Sequence, residues 1–159
     1  VNNDTQEYSI AIHEAGHAVM AALLGKIINY VTIVPKGDAQ GECNSEFSNQ
    51  DLNTKVDITC LVLLAGITAQ RILLGIEPDK CCRNGQVDSL AMGALVSNMF
   101  TDEKEAMRYS EYMIKLALNT FNNPIVQQQV KAVANALIEH KTLTGSQVIS
   151  MLEEIKVGQ

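Results

Sequence analysis

The chain has 159 residues, of which 47% are hydrophobic and 19% charged, enough apolar surface to bury a core and to exclude disorder as the main state. Its formal net charge of −6, with no basic block, argues against nucleic-acid binding and against electrostatic anchoring on anionic lipid. Only 4% of residues are aromatic, Trp is absent and Pro occurs three times, so an aliphatic, helix-packed core is expected rather than a turn-rich sandwich.

Asp4 followed by Glu7 predicts a capping box opening a first helix. Tyr8, Ile12, Ala15, Val19 and Leu23 then recur at helical spacing, and Gly25 is the expected C-terminal cap. Residues 30–34 are β-branched or aromatic and stop at Pro35, which predicts one strand. Residues 36–53 are polar, with Gly37 and Gly41, and hold either a short second strand or mostly loop.

Residues 54–74 predict a long apolar helix closed by Gly75. Its longest apolar run, residues 60–69, is too short to span a bilayer and is expected to be a buried core segment. Residues 78–85 are expected as a loop, with Asn84–Gly85 as a turn signal, and residues 88–99 as a helix. Thr101 and Asp102 open a more polar helix running to about Thr120. Asn123–Pro124 starts another, with Pro at the first helical position, that ends near His140. Thr144 and Gln147 form a capping box for a last helix through Ile155. Repeats, low-complexity tracts and domain boundaries are missing from the sequence. The expectation is a single domain over residues 1–159, mainly α, with one or two short strands near the first helix.

Cys43, Cys60, Cys81 and Cys82 make no C-x-x-C pair. Cys60 is expected in the core and Cys81 and Cys82 on a loop, which suits a reducing compartment such as cytoplasm or the stromal or matrix side of an organelle. A soluble unit is expected, tethered to a membrane, if at all, through a segment outside this chain.

The chemistry concentrates at residues 13–17, His-Glu-Ala-Gly-His, an H-E-x-x-H pattern. Two histidines at i and i+4 share a helix face and can point at one Zn²⁺. Glu14 is turned from His13 by roughly 100° about the axis. It is therefore placed as a general base beside the ion rather than as a ligand. Shuffling three His and eleven Glu through the chain gives this pattern only about 0.003 times, so chance is a poor explanation. Ile12, Ala15, Val19 and Leu23 form the expected core face, with His13, His17, Met20 and Leu24 on a separate stripe.

A catalytic zinc site keeps three protein ligands and an open position. The extended H-E-x-x-H-x-x-G-x-x-H pattern is absent, because Met20 and Leu23 occupy the relevant places. His140, near the end of a polar helix, reads as a partner of the helix dipole. Asp57 and Asp88 are the carboxylate candidates, and spacing alone also allows Asp88 to be a helix cap.

The segment 13–19, His-Glu-Ala-Gly-His-Ala-Val, followed by Val-Thr-Ile-Val-Pro-Lys-Gly at 31–37, resembles the zinc motif region of the FtsH-type membrane AAA metalloproteases. Leu64-Ala65-Gly66, then Ala69 and Leu74-Gly75, resemble the next block. Residues 85–90, Gly-Gln-Val-Asp-Ser-Leu, resemble the Gly-x-x-x-Asp-Leu segment with one extra residue before Leu90. Residues 136–145 are similar to the closing helical hairpin. The resemblance spans nearly the whole chain and implies that Asp88 is the third zinc ligand, beside His13 and His17. It also implies a polypeptide substrate, an AAA ATPase upstream or separate, and homo-oligomers assembled largely through other parts. The chain departs from the pattern at several points. It has no G-x-x-x-x-G-K-[ST] loop, Gln70-Arg71 stand where Glu-Glu is usual, Phe100 runs almost directly into Thr101, and Glu42 follows Gly41 in place of an aromatic. These departures bear on substrate handling more than on metal binding.

Two functions are therefore weighed. One is a zinc-dependent endopeptidase acting on unfolded or extended polypeptides, with Glu14 as base. The other is a catalytically weak, peptidase-like zinc module that binds partners or substrates, against which the intact Glu14 weighs. A Cys nucleophile paired with His140 has no local sequence support.

Overall fold

The computed structural model describes residues 3–48 and 51–157. Helix α1 (Asn3–Leu23) is its centre. Ala11, Ile12, Ala15, Ala18, Val19, Met20 and Ala21 are each at most 1% exposed, so the middle of this helix is enclosed on every side. Helix α2 (Leu52–Leu74) packs along one flank of α1 and α5 (Pro124–His140) along another. Their facing side chains are mostly Ala, Val and Leu, as a chain poor in aromatics requires. Leu23, expected on the core face, is 41% exposed because α1 ends there, while Met20 of the histidine stripe is buried.

A small sheet closes one side, in the order β2 (Glu42–Glu46), β1 (Ile27–Thr32), β3 (Thr142–Thr144). Strand β1 runs antiparallel to both neighbours, with Val31 opposite Cys43 on one side and Leu143 on the other. The strand expected at 30–34 is thus shifted towards the N-terminus. It ends at Thr32, whose Oγ1 accepts a hydrogen bond from the Val34 N–H at 3.1 Å. The polar segment does contain a second strand, β2.

Helix α3 (Arg83–Met99) lies on α2, and α4 (Glu103–Phe121) packs beside both. Cys60, Met92, Val96 and Met113 make a second, smaller core there. Helix α6 (Gly145–Val157) covers α5 and β1. The architecture is mainly α with a few short strands, as expected.

Several helix ends follow their local signals. Gly75 takes the left-handed conformation at φ 66° and closes α2. The Asp102 side chain accepts from the N–H groups of Lys104 and Glu105, and Asn123 from that of Ile125. Thr144 and Gln147 bond each other's backbone N–H reciprocally. Helix α1 starts at Asn3, so Asp4, expected as its cap, lies inside it, and the side chain of Asp4 is outside the described set.

The start of α3 corrects the sequence reading. It begins at Arg83, with Cys82 as its N-cap, so Asn84–Gly85 lie in its first turn instead of forming a turn of their own. The physical reason is tertiary. The Asn84 amide bonds to the 40–41 loop and to α1 rather than to its own backbone. Asp88 is consequently well inside a helix and caps nothing.

Residues Thr54–Leu74 are long and apolar enough to cross a membrane by length and composition, yet Ile58, Cys60, Ala65, Ile67 and Ala69 of this helix are buried within the fold.

Candidate metal centre

Helix α1 contributes Ser9, His13 and His17 at four-residue intervals, and α2 contributes Val62, Gly66 and Gln70 at the same interval. Each set lies along one helix face, and the two faces meet. His17 Nδ1 donates to the Val62 carbonyl at 2.7 Å. His13 Nδ1 donates to Gln70 Oε1 at 3.3 Å. Gln70 is fully buried, and its Nε2 donates to Ser9 O at 3.1 Å and to Ser9 Oγ at 2.8 Å. That commitment leaves only its oxygen to face His13. Between them Gly66 gives the imidazole room, since a Cβ there would stand 2.4 Å from His13 Nδ1.

Both Nδ1 atoms meet groups that can only accept, so each carries the proton and each Nε2 presents a lone pair. The two Nε2 atoms are 3.0 Å apart. Asp88 Oδ2, from α3, lies 3.0 Å from that of His13 and 3.1 Å from that of His17. Three electron-rich atoms therefore converge on one point, an arrangement that repels itself unless a cation is shared. A proton satisfies part of this demand. Burial alone would lower the pKa of His13, but the hydrogen bond to Asp88, with the Cys82 thiol and the Glu14 carboxylate close by, outweighs it and raises it to about 10. For Asp88 burial pulls upward, and the two imidazoles overcome it and hold the carboxyl at about 2. A divalent ion satisfies the demand more fully. Two imidazoles and a carboxylate are a donor set suited to Zn²⁺ with one position left open.

Glu14 is 2% exposed and lies beside this triangle. Its Oε1 accepts from Asn84 Nδ2 at 2.7 Å. The backbone of Gly41 presses against it, for a Cβ at Gly41 would lie 2.7 Å from Glu14 Cγ. His13, Glu14, His17, Gly41, Val62 and Asp88 line a cleft of about 570 Å³, which β2 enters at Glu42 and Cys43.

The remaining candidates are elsewhere. Asp57 accepts from Tyr109 Oη at 2.6 Å and belongs to no metal-ligating cluster among the described residues. His140 is the last residue of α5, 3.8 Å from Glu139, and belongs to no metal-ligating cluster among the described residues. Cys60 is buried in the smaller core, as expected. Cys81 and Cys82 lie on the connection before α3, but Cys81 is buried and the Cys82 thiol approaches Gln70 Oε1 at 3.9 Å. Burial would raise the Cys82 thiol, but its neighbour His13 holds it below the usual range.

Sequence reasoning missed four contributors. The Val62 carbonyl is backbone and leaves no sequence signal. Gly66 stands out in the sequence only within a family-like block and Gln70 only as a departure from the family pattern, although their positions four and eight residues after Val62 match the spacing of the histidines. Asn84, followed by Gly85, carries only a turn signal in the sequence.

No protein-family model matches the chain. It is similar to the ATP-dependent zinc metalloprotease FtsH of Chloroflexus aggregans, 27% identical over 197 aligned positions, which takes in 98% of this chain and 30% of that protein. The ATP-dependent zinc metalloprotease FtsH of Methylococcus capsulatus is 23% identical, over 98% of this chain and 28% of its own length. That of Lactiplantibacillus plantarum is 23% identical over the whole of this chain and 26% of its own. The chain thus spans less than a third of the curated relatives it matches. These similarities point to an FtsH-related region and, coarsely, to a protease-related role with zinc.

Proposed function

We propose that this chain is a zinc-dependent metalloendopeptidase unit that hydrolyses peptide bonds in unfolded or extended polypeptides. The observation that carries this reading is the convergence of three electron-rich ligand atoms, two of them tautomer-fixed imidazoles, beside a nearly buried carboxylate in an open cleft. A site built for structure alone would have no use for Glu14.

His13, His17 and Asp88 would hold the zinc. Bound there, the ion would act as a Lewis acid, polarising the scissile carbonyl and acidifying water. Glu14 accepts the proton of the water that attacks the carbonyl carbon and returns it to the leaving amine, so bond making and breaking share one base.

The sequence also suggests the strand at residues 31–34 as a platform on which an extended substrate could pair by β-addition, but strand β2 fits that task better. Strand β1 has β2 on one edge and β3 on the other, so Val31 and Thr32 have no free edge for a third partner, and Ile33 and Val34 lie beyond the strand. Strand β2 pairs only with β1 among the described residues, and it opens onto the cleft. An extended peptide added to the outer edge of β2 would run past Glu14. A stably folded substrate keeps most of its chain in helices and paired strands, so few segments are free to lie extended in the cleft. Unfolding is therefore assigned to an AAA ATPase elsewhere in the parent protein or on a partner, in a homo-oligomer on the reducing side of a membrane.

Casein cleavage by the zinc-loaded chain tests this reading. It should stop with a chelator, return with added zinc, ignore ATP, and spare a stably folded protein while cutting its destabilised variant. Absence of cleavage from the zinc-loaded chain would favour the zinc module that only binds.

A further inference from the structure

Asn84 stands one turn ahead of Asp88 on α3, so both side chains leave that helix on the same face. Asp88 meets the two histidines. Asn84 meets Glu14, and the contact is more than incidental. Its Nδ2 donates to Glu14 Oε1 at 2.7 Å and to the Gly41 carbonyl at 3.0 Å, while its Oδ1 accepts from the Gln40 N–H at 3.1 Å. A carboxylate and a carbonyl only accept, and an N–H only donates, so chemistry fixes which end of the amide faces which partner. Rotating the amide would break all three bonds.

The terminal torsion of a glutamate is otherwise soft. Here one oxygen is pinned by Asn84 and the side chain is backed by Gly41, whose missing Cβ leaves room for Glu14 Cγ and Oε1. Among the described residues nothing bonds to the other oxygen, and Glu14 lines the cleft. An amide is a neutral donor, so it can orient the base without cancelling its charge, as a lysine or arginine would. The same amide holds Gly41, the residue that leads into β2.

Resting on the peptidase reading, we infer that Asn84 is a positioning residue for Glu14. It would hold Oε1 so that Oε2 faces the reacting water, and tie the base, the substrate strand β2 and the Asp88 helix into one frame. In this view α3 serves the site twice, with Asn84 and Asp88 at i and i+4 answering Glu14 and the histidine pair of α1.

A thermal-stability cycle tests the contact without reference to activity. Asn84→Asp keeps the shape but removes both donors and sets a carboxylate against that of Glu14. It should lower Tm by about 5 °C, more than Asn84→Ala does. Adding Glu14→Gln to the Asn84→Asp chain restores a donor between them and should recover most of the loss. No recovery would overturn the inference. The kinetic arm uses the zinc-loaded protein and an unstructured peptide. Asn84→Ala should lower kcat about a hundredfold, as a slightly misplaced base does, with KM within about twofold and zinc content unchanged. A raised KM with normal kcat would make Asn84 a loop anchor only and overturn its positioning role. If the wild-type chain cuts nothing, the peptidase reading fails, and the Tm cycle still decides whether Asn84 holds Glu14.

Discussion

The imidazole of His13 lies directly against the backbone of Gly66. A Cβ built there would be 2.4 Å from both Nδ1 and Cε1 of the ring, well inside van der Waals contact. His13 is itself fully buried, so the ring has no free space into which to retreat. Gly66→Ala should therefore displace His13 from Gln70 and from Asp88 together. The expected result is a loss of about 1–3 kcal/mol in stability, typical of overpacking, with sharply weakened zinc binding. Zinc titration and thermal denaturation of the variant check this. Wild-type zinc affinity in Gly66→Ala would mean that His13 is not held as described.

Asp88 and Asp57 were both open as the third ligand on spacing, and their surroundings now separate them. Asp88 Oδ2 is within 3.1 Å of both imidazoles, while Asp57 is bonded to Tyr109. Asp88→Ala should weaken zinc binding by more than the roughly 100-fold that loss of an outer-shell partner can cost. Asp57→Ala should leave zinc affinity unchanged and lower stability modestly through the lost Tyr109 bond. Competition with a chromophoric chelator measures both. Full zinc retention in Asp88→Ala would reassign the ligand.

The His13–Asp88 pair also fixes a pH dependence for the chelated protein. His13 is raised from 6.5 to about 10, so its contribution to stability is complete below about pH 6.5 and is lost as pH rises through about 10. Asp88 is lowered from 3.8 to about 2, so its contribution is present above about pH 3.8 and lost as pH falls through about 2. The chelated protein should then be most stable between about pH 4 and 6.5. Zinc competes with the His13 proton, so zinc affinity should rise with pH over the alkaline limb where the proton-bridged pair weakens. Thermal scans with and without zinc from pH 4 to pH 10 read both trends, and Asp88→Ala should flatten the chelated profile.

Much of the fold was legible because it is written locally. Gly75, Asp102, Asn123 and the Thr144–Gln147 pair act through their own neighbours, and each closes or opens the helix expected of it. The start of α3 was misplaced because Asn84 and Gly85 carry a turn signal that tertiary bonds override. Strand β3 spans only three residues and exists through pairing with β1, which no local pattern reveals. The site divides the same way. His13, Glu14 and His17 share one helix and one short motif, so their meeting could be read from spacing. Asp88 arrives from 75 residues away from His13 and was favoured only through resemblance. Gln70 looked like a departure from a family pattern, and its use as the acceptor for His13 needed the packing of α2 on α1.

In the proposed reaction Glu14 is the base of a zinc-dependent peptidase. The most direct measurement is casein cleavage by wild type and Glu14→Gln at equal, verified zinc content. Glutamine keeps the size of the side chain and its oxygen but cannot take up the proton. Glu14→Gln should keep its zinc stoichiometry and a similar melting temperature while its activity falls by at least the roughly 10²–10⁴-fold typical of acid–base catalysis. Equal cleavage by the two zinc-loaded proteins would contradict the role of Glu14 as base.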